Sequence, residues 1–228
     1  MRILAIIPAY NEQECIEDTV AGLKKSCPDI DYLVVNDGST DGTAKILDER
    51  GLAHVDLPVN CGLAAGFKCV MKYAERHGYD AAVQFDADGQ HLPEYLPKMA
   101  EAMEAAGAQI VIASRILAGE RVAGARGIGS RLISALIRLT TGATITDPTS
   151  GLRMYDRSMI SEYAHAFDLA PEPDALALLC RRGAKVVEVG ARMRERQGGQ
   201  SYLDLPHVVR YMARTCCSIL MFQWFRKE

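Results

Sequence analysis

An excess of basic charge is missing from this sequence. Lys and Arg total 26 against 29 Asp and Glu, a formal net charge of −3, so the overall balance gives no reason to expect nucleic acid as a partner. No apolar run approaches the roughly 20 residues needed to span a bilayer. The amino-terminal MRILAIIPAYNE has one basic residue and a short apolar stretch before it turns polar, too little for a signal peptide. No G-x-G-x-x-G follows an apolar run, which argues against a dinucleotide-dependent oxidoreductase. The 7 cysteines (Cys15, Cys27, Cys61, Cys69, Cys180, Cys216 and Cys217) are odd in number and contain no C-x-x-C pair. That pattern suits buried free thiols in a reducing compartment rather than a zinc site or disulfide framework. A cytoplasmic location is expected, with peripheral contact at the inner face of the cell membrane left open by the carboxyl-terminal segment.

What is present is core-forming material, 49% hydrophobic over 228 residues. The apolar runs alternate in kind. Short β-branched runs at 2–8, 30–36, 52–57, 80–85 and 109–113 read as buried strands. Helical spacing marks 11–26, a helix opening near 41–43, 63–75 and 93–106, the last with Pro in its first turn. The remainder is less regular, with helices expected at 126–139, 174–182 and 205–225, an extended segment at 149–155 and a strand at 185–193. This alternation predicts an α/β fold, a mostly parallel Rossmann-like sheet with helices on both faces. Ligands of such sheets bind beyond the carboxyl ends of the strands. The polar clusters at 8–12, 37–41 and 86–91 each follow a strand, so three loops are expected to meet at one crevice.

Each cluster has chemistry and a plainer alternative. Asp86-Ala-Asp88 offers hard oxygen ligands to a divalent cation, and Gln90 adds another; a solvated acidic turn would look the same. In Pro8-Ala9-Tyr10-Asn11-Glu12, Tyr10 can stack on a base while Asn11 and Glu12 reach ribose or phosphate. Alternatively Asn11 caps a helix, with Glu14 at the capping-box position. Asp37 can accept a base N–H, or Asp41 can close an Asx turn with no ligand. His91 is read as metal- or diphosphate-facing, or as structural.

Pro8–Glu12, Asn36–Gly42 and Asp86–Gln90, in this order, resemble the family 2 glycosyltransferases. Ser114-Arg115, Arg126-x-x-x-Ser130, Asp147-x-x-Ser-Gly-Leu-Arg153 and Arg196-Gln-Gly-Gly-Gln-Ser201 extend the resemblance to the dolichyl-phosphate mannose synthase branch and its bacterial polyprenyl-phosphate relatives. One departure is Tyr202, where that branch carries a basic residue after the serine. The resemblance implies a GT-A fold and an inverting, metal-dependent transfer from a nucleotide sugar, UDP-linked on family breadth. It implies that Pro8, Ala9, Tyr10, Asn11, Glu12, Asp37 and Asp86 hold the nucleotide. Asp86, Asp88 and Gln90 would bind Mg²⁺ or Mn²⁺. Arg126, Ser130, Arg153, Arg196 and Ser201 would serve the acceptor or donor phosphates, with Arg115, Asp86, Asp88, Glu172 and Asp174 in catalysis.

The acceptor follows from proton chemistry. A sugar hydroxyl needs a general base, and the Glu172/Asp174 pair is the candidate; its alternative is favourable acidic charge at a helix start. A phosphate monoester is already anionic, so it needs cationic clamps more than a base. The arginine set favours a phosphate acceptor over the hydroxyl of a growing polysaccharide; the resemblance implies that this phosphate is a polyprenyl phosphate in cell-surface glycan assembly, with GDP-mannose as an alternative donor. A sugar-1-phosphate nucleotidyltransferase would want a glycine-rich basic loop at 8–12, and a non-enzymatic scaffold would not need the acidic pair. The chain is read as a glycosyltransferase domain over 1–204, with a nucleotide-sugar half 1–115 and an acceptor half 116–204, followed by an amphipathic helix over 205–228. That helix is expected to meet a membrane surface, a small membrane-protein partner or its own core. A homo-oligomer also stays open.

Overall fold

Successive side chains of the first strand enter different cores. In β1 (Ile3–Ala9), Leu4 and Ile6 join one apolar cluster, while Ile3, Ala5, Ile7 and Ala9 join the other. In β2 (Asp31–Asn36), Leu33 and Val35 face the first cluster and Val34 the second. This is why these runs are continuously apolar: the sheet is covered on both faces. The computed structural model describes residues 1–120, 124–167, 169–194 and 205–221, with backbone alone at 125, 126 and 205–209.

Among the described residues the sheet has seven strands in the order β3-β2-β1-β4-β6-β5-β7, completed by β3 (His54–Asp56), β4 (Ala81–Gln84), β5 (Ile110–Ser114), β6 (Arg153–Asp156) and β7 (Val186–Gly190). Strand β1 pairs in parallel with β2 and β4, β2 with β3, and β5 with β7. Only β6 runs against its neighbours, β4 and β5. It also joins the two parts of the chain, since a strand from beyond residue 116 sits between two strands from before it.

One face carries α1 (Ile16–Ser26), α2 (Thr43–Glu49) and α4 (Leu96–Ala106). The other carries α3 (Leu63–Arg76), α5 (Gly124–Thr141), α6 (Arg157–His165), α7 (Pro173–Arg181) and α8 (Leu205–Leu220). Charge at the ends of α1 follows the helix dipole, with Glu17 and Asp18 in the first turn and Lys24 and Lys25 in the last. Gly107 closes α4 in the left-handed conformation at φ 56°. An aromatic triad joins α3, β6 and α6: Phe67, Tyr155 and Tyr163 meet edge to face at 5.1–5.6 Å, worth about 0.5–1.5 kcal/mol per pair beyond area burial.

Several expectations are corrected. Helix α1 starts at Ile16, not at residue 11, and its N-cap Cys15 makes no side-chain cap bond. Asn11 does not cap it: Asn11 lies in the left-handed region at φ 58° and its Oδ1 accepts the Thr40 amide at 2.8 Å. Helix α6 is an addition, capped by Asp156, whose Oδ1 accepts the Met159 amide at 2.9 Å. The thiols are all free, but Cys61 and Cys217 are exposed rather than buried. Helix α8 docks on α5 and α7 and places Ile219 in the core. Residues 222–225 of the expected helix lie outside the described residues.

Candidate functional site

Strands β2, β1 and β4 are adjacent and parallel, so their carboxyl ends share one edge. The register sets Pro8 beside Val35, Ala9 beside Asn36, and Ile6 beside Gln84. The loops at 8–12, 37–43 and 86–91 therefore leave the sheet side by side.

The first two loops are laced together. The Asn11 amide donates to Ser39 Oγ at 3.0 Å and the Glu12 amide to Thr43 Oγ1 at 2.9 Å. Gln13 Oε1 accepts the Gly42 amide at 2.7 Å. Asp41 closes its own Asx turn, with Oδ1 accepting the Thr43 amide at 2.9 Å. Held this way, Pro8, Tyr10, Asn11 and Glu12 are half-buried, while Ala9 is a buried strand residue.

Asp37 is buried and organises a segment that the motifs did not include. Its Oδ1 accepts the Cys61 amide at 2.7 Å and its Oδ2 the Gly62 amide at 2.9 Å, so the carboxylate fixes the loop leading into α3. Gly38 lets that loop close: at φ +66°, a Cβ there would lie 2.5 Å from the Val59 carbonyl carbon and 2.6 Å from the Asn60 nitrogen. The only sequence signal for this segment was its own Asn60-Cys-Gly62 turn composition.

In the third loop, Asp88 is buried and its Oδ1 accepts the Gln90 amide at 3.0 Å. Gln84 Nε2 donates to Asp86 Oδ1 at 3.0 Å. His91 is buried behind them, edge-on to Phe85. Its Nδ1 accepts the Asp86 amide at 2.9 Å, so a neutral ring carries its proton on Nε2, 3.6 Å from Asp86 Oδ2. The Gln90 carbonyl accepts the Arg194 amide at 2.9 Å, tying this loop to the segment that follows β7. Among the described residues no cluster of three or more His, Cys, Asp or Glu forms a complete cation cage. Two carboxylates at a strand end match the donor set of a cation that takes its other ligands from substrate phosphates, and hard oxygens suit Mg²⁺ or Mn²⁺.

Next along the chain lies a buried ion pair. Asp147 is 0% exposed and takes Arg115 in a fork, Nε to Oδ2 and Nη2 to Oδ1, both at 2.7 Å. Burial pushes the Asp147 carboxyl up, but Arg115's hydrogen bonds and charge outweigh it, and the net shift is downward. Arg115 is raised in turn, chiefly by its hydrogen bond to Asp147. Glu188 on β7 holds the far side, its oxygens accepting the amides of Thr146 at 2.7 Å and Asp147 at 2.9 Å. Arg115 Nη2 also reaches Thr149 Oγ1, which donates to Ser130 Oγ on α5. Ser130 lines a cleft of about 530 Å³ with Ile116, Gly119, Glu120, Gly127 and Thr146.

Arg153 is not at that cleft. It is 2% exposed, and its guanidinium donates to main-chain carbonyls of Ser150 at 2.8 Å, Pro148 at 2.6 Å, and Pro171 and Glu172 at 3.5 Å. Instead of a phosphate contact it makes a clamp between two loops. Asp174 Oδ2 accepts the Ser218 hydroxyl of α8 at 2.6 Å. Glu172 is the N-cap position of α7, close enough to α8 that burial and then its charge push the Tyr211 phenol up to about 12. Of the remaining candidates, Arg126 sits on α5 with its side chain outside the described residues, as are Arg196 and Ser201 entirely.

Comparison with known proteins gives concordant findings. Residues 4–164 match the profile of the family described as Glycosyl transferase family 2. A polyprenol monophosphomannose synthase from Mycolicibacterium smegmatis is 34% identical over 220 residues, covering 89% of this chain and 81% of the relative. An undecaprenyl-phosphate mannosyltransferase from Micrococcus luteus is 33% identical over 220 residues, covering 90% and 88%. A crystal structure of glucosyl-3-phosphoglycerate synthase from Mycobacterium tuberculosis, in complex with Mn²⁺, UDP and phosphoglyceric acid, covers 100% of this chain and 80% of that one. Its TM-score is 0.73 at 18% identity, a likeness of fold.

Proposed function

The chain belongs to glycosyl transferase family 2, and from that premise we propose that it transfers a sugar from a nucleotide-sugar donor to a polyprenyl phosphate. The observation that carries the reading is the shared edge of β2, β1 and β4, where the loops of Asp37, Tyr10 and Asp86 leave the sheet together. The acceptor class is supported by both relatives, one named for undecaprenyl phosphate and the other for making a polyprenol monophosphomannose.

In this reading Tyr10, Asn11, Glu12 and Asp37 hold the nucleoside, and Asp86 and Asp88 face the diphosphate with a divalent cation. The cation, when bound, neutralises charge on the departing nucleoside diphosphate. An acceptor phosphate oxygen attacks the anomeric carbon from the opposite side. The new C–O bond forms as the bond to the diphosphate oxygen breaks, and configuration inverts. The acceptor phosphate enters the cleft beside Ser130, where Arg131 and the Arg115–Asp147 pair set the field. No general base is required, which leaves Asp174 to its bond with Ser218. Peripheral association with the membrane that holds the acceptor accompanies this chemistry. A mannosyl donor such as GDP-mannose is the second reading of the sugar, supported by the mannose in the names of the two relatives.

The test incubates the purified chain with UDP- and GDP-linked sugars, undecaprenyl phosphate and Mg²⁺ or Mn²⁺. Lipid-linked sugar phosphate is the expected product, lost with a chelator and in Asp88→Ala. Transfer to a free sugar hydroxyl with no lipid product would overturn the acceptor assignment.

A further inference from the structure

Helix α5 buries Ile133 and Ile137 in the core, yet it also turns a second set of apolar side chains to the outside. Ile128, Leu132 and Leu139 are 65%, 49% and 78% exposed, at a spacing that lines them along one stripe. The hydroxyls of Ser130 and Ser134 instead point inward, Ser130 accepting from Thr149 and Ser134 donating to the Thr146 carbonyl. The outward stripe also carries Arg131 and Arg138, both exposed. A helix in water puts its hydroxyls outside and its leucines inside. Scattered exposed leucines are ordinary, but a row of them interleaved with arginine needs a partner.

The charge identifies the partner. No Asp or Glu lies between Glu120 and Asp147, a stretch containing Arg121, Arg126, Arg131 and Arg138, in a chain whose net charge is −3. Helix α8, packed against α5 with the Met212 side chain over Gly129, repeats the pattern. Its segment is free of acids between Asp204 and Glu228, and it exposes Arg210, Arg214, Leu220 and Met221. A second copy of the chain fits poorly, because a two-fold contact would set these arginines against themselves. Apolar side chains flanked by arginine suit the headgroup boundary of an anionic bilayer, where the side chains enter the acyl edge and the guanidinium groups meet phosphate.

We propose that α5, seconded by α8, is the surface by which this protein docks on an anionic membrane. The position is functional in outcome: Arg131 lines the cleft beside Ser130, and Leu132 on the same turn faces out. Docking there sets the cleft mouth at the headgroup level. The inference rests on the proposed acceptor only in that such an acceptor resides in a bilayer.

The experiment is flotation of the full chain with phosphatidylglycerol-containing vesicles and with pure phosphatidylcholine vesicles, both free of polyprenyl phosphate. Wild type is expected to float with the anionic vesicles, less so at high salt. Arg138→Glu and Leu132→Ser/Leu139→Ser are each expected to weaken partitioning by about tenfold or more, with unchanged melting temperature. Their transfer rate onto a short-chain, water-soluble polyprenyl phosphate should match wild type, while transfer onto vesicle-embedded acceptor falls. Undiminished flotation of the variants, or none by wild type, overturns the proposal. So does lipid-independent self-association that Leu139→Ser dissolves. If no donor supports transfer, the acceptor reading fails, and the flotation result still decides this one.

Discussion

Gly151 meets the Asp86 carboxylate so closely that a Cβ at position 151 would lie 3.0 Å from Asp86 Oδ2, with His91 Cε1 at 3.6 Å and Gln84 Nε2 at 3.7 Å. The loop following Asp147 thus forms one wall around the acidic pair, and the absence of a side chain lets Asp86 keep its place between Gln84 and His91.

Gly151→Ala should therefore act on chemistry before stability. Its backbone is not in the left-handed region, so alanine brings no dihedral penalty, only the contact with Asp86. Displacement of Asp86 by a few tenths of an ångström is expected to lower kcat/KM by about tenfold to a hundredfold. The melting temperature should move by only a few degrees. Steady-state kinetics beside a thermal melt checks this, and wild-type kinetics would show that Asp86 has no positional demand.

Gly38→Ala should do the opposite. Here φ is +66° and the added Cβ would strike main-chain atoms of Val59 and Asn60, which cannot swing away as a side chain can. Strain and displacement of the 58–62 loop together are expected to cost about 2 kcal/mol or more. Binding of nucleoside diphosphate should weaken with it, because Asp37 holds Cys61 and Gly62 in that loop. Urea unfolding and calorimetric titration with UDP and GDP measure the two effects.

The Asp147–Arg115 pair predicts an asymmetry and a pH dependence. Arg115→Ala leaves a fully buried carboxylate without its fork and should cost about 3–5 kcal/mol at neutral pH. In Asp147→Asn the orphaned Arg115 keeps partial access to water, and the loss should be smaller. The folded-state pKa of Asp147 is lowered, so its contribution is fully present above the unfolded value of about 3.9. It is lost as pH falls through the lower folded value. The stability gap between wild type and Asp147→Asn should thus shrink in acid; a gap constant from pH 7 down to about 3 would contradict the pairing.

Much of this was legible because the informative residues are local. Each loop at the shared edge of β2, β1 and β4 is a polar cluster that interrupts an apolar run, so Pro8–Glu12, Asp37–Asp41 and Asp86–His91 announce strand ends and polar donor sets in a few residues. Partners distant in sequence were not legible. Glu188 reads as one polar residue of an alternating strand, yet it supports Thr146 and Asp147. Strand β6 reads as an extended segment, and nothing in Arg153–Asp156 specifies insertion between β4 and β5 in the reverse direction. Helix α6 has a local signal in its Asp156 cap, but at nine residues it is too short to stand out from the irregular second half of the sequence.

Arg153 is where charge misled, and it supports a discriminating experiment. Beside Ser150 and Gly151 it looks like a phosphate ligand, but the guanidinium is buried and its donors go to carbonyls on both sides of the 148–150 and 171–172 loops. Lysine keeps the charge but lacks the planar fork, so it cannot serve these carbonyls at once. Each buried carbonyl left unpaired costs about 1–3 kcal/mol. Arg153→Lys should accordingly lower stability by about 2 kcal/mol or more, and Arg153→Met by more still. Because the clamp holds the loop that walls Asp86, kcat should fall in both variants while the KM for acceptor stays within about twofold. An arginine binding the acceptor phosphate would behave in reverse: a KM raised tenfold or more, rescue of much of the loss by lysine, and an unchanged unfolding curve.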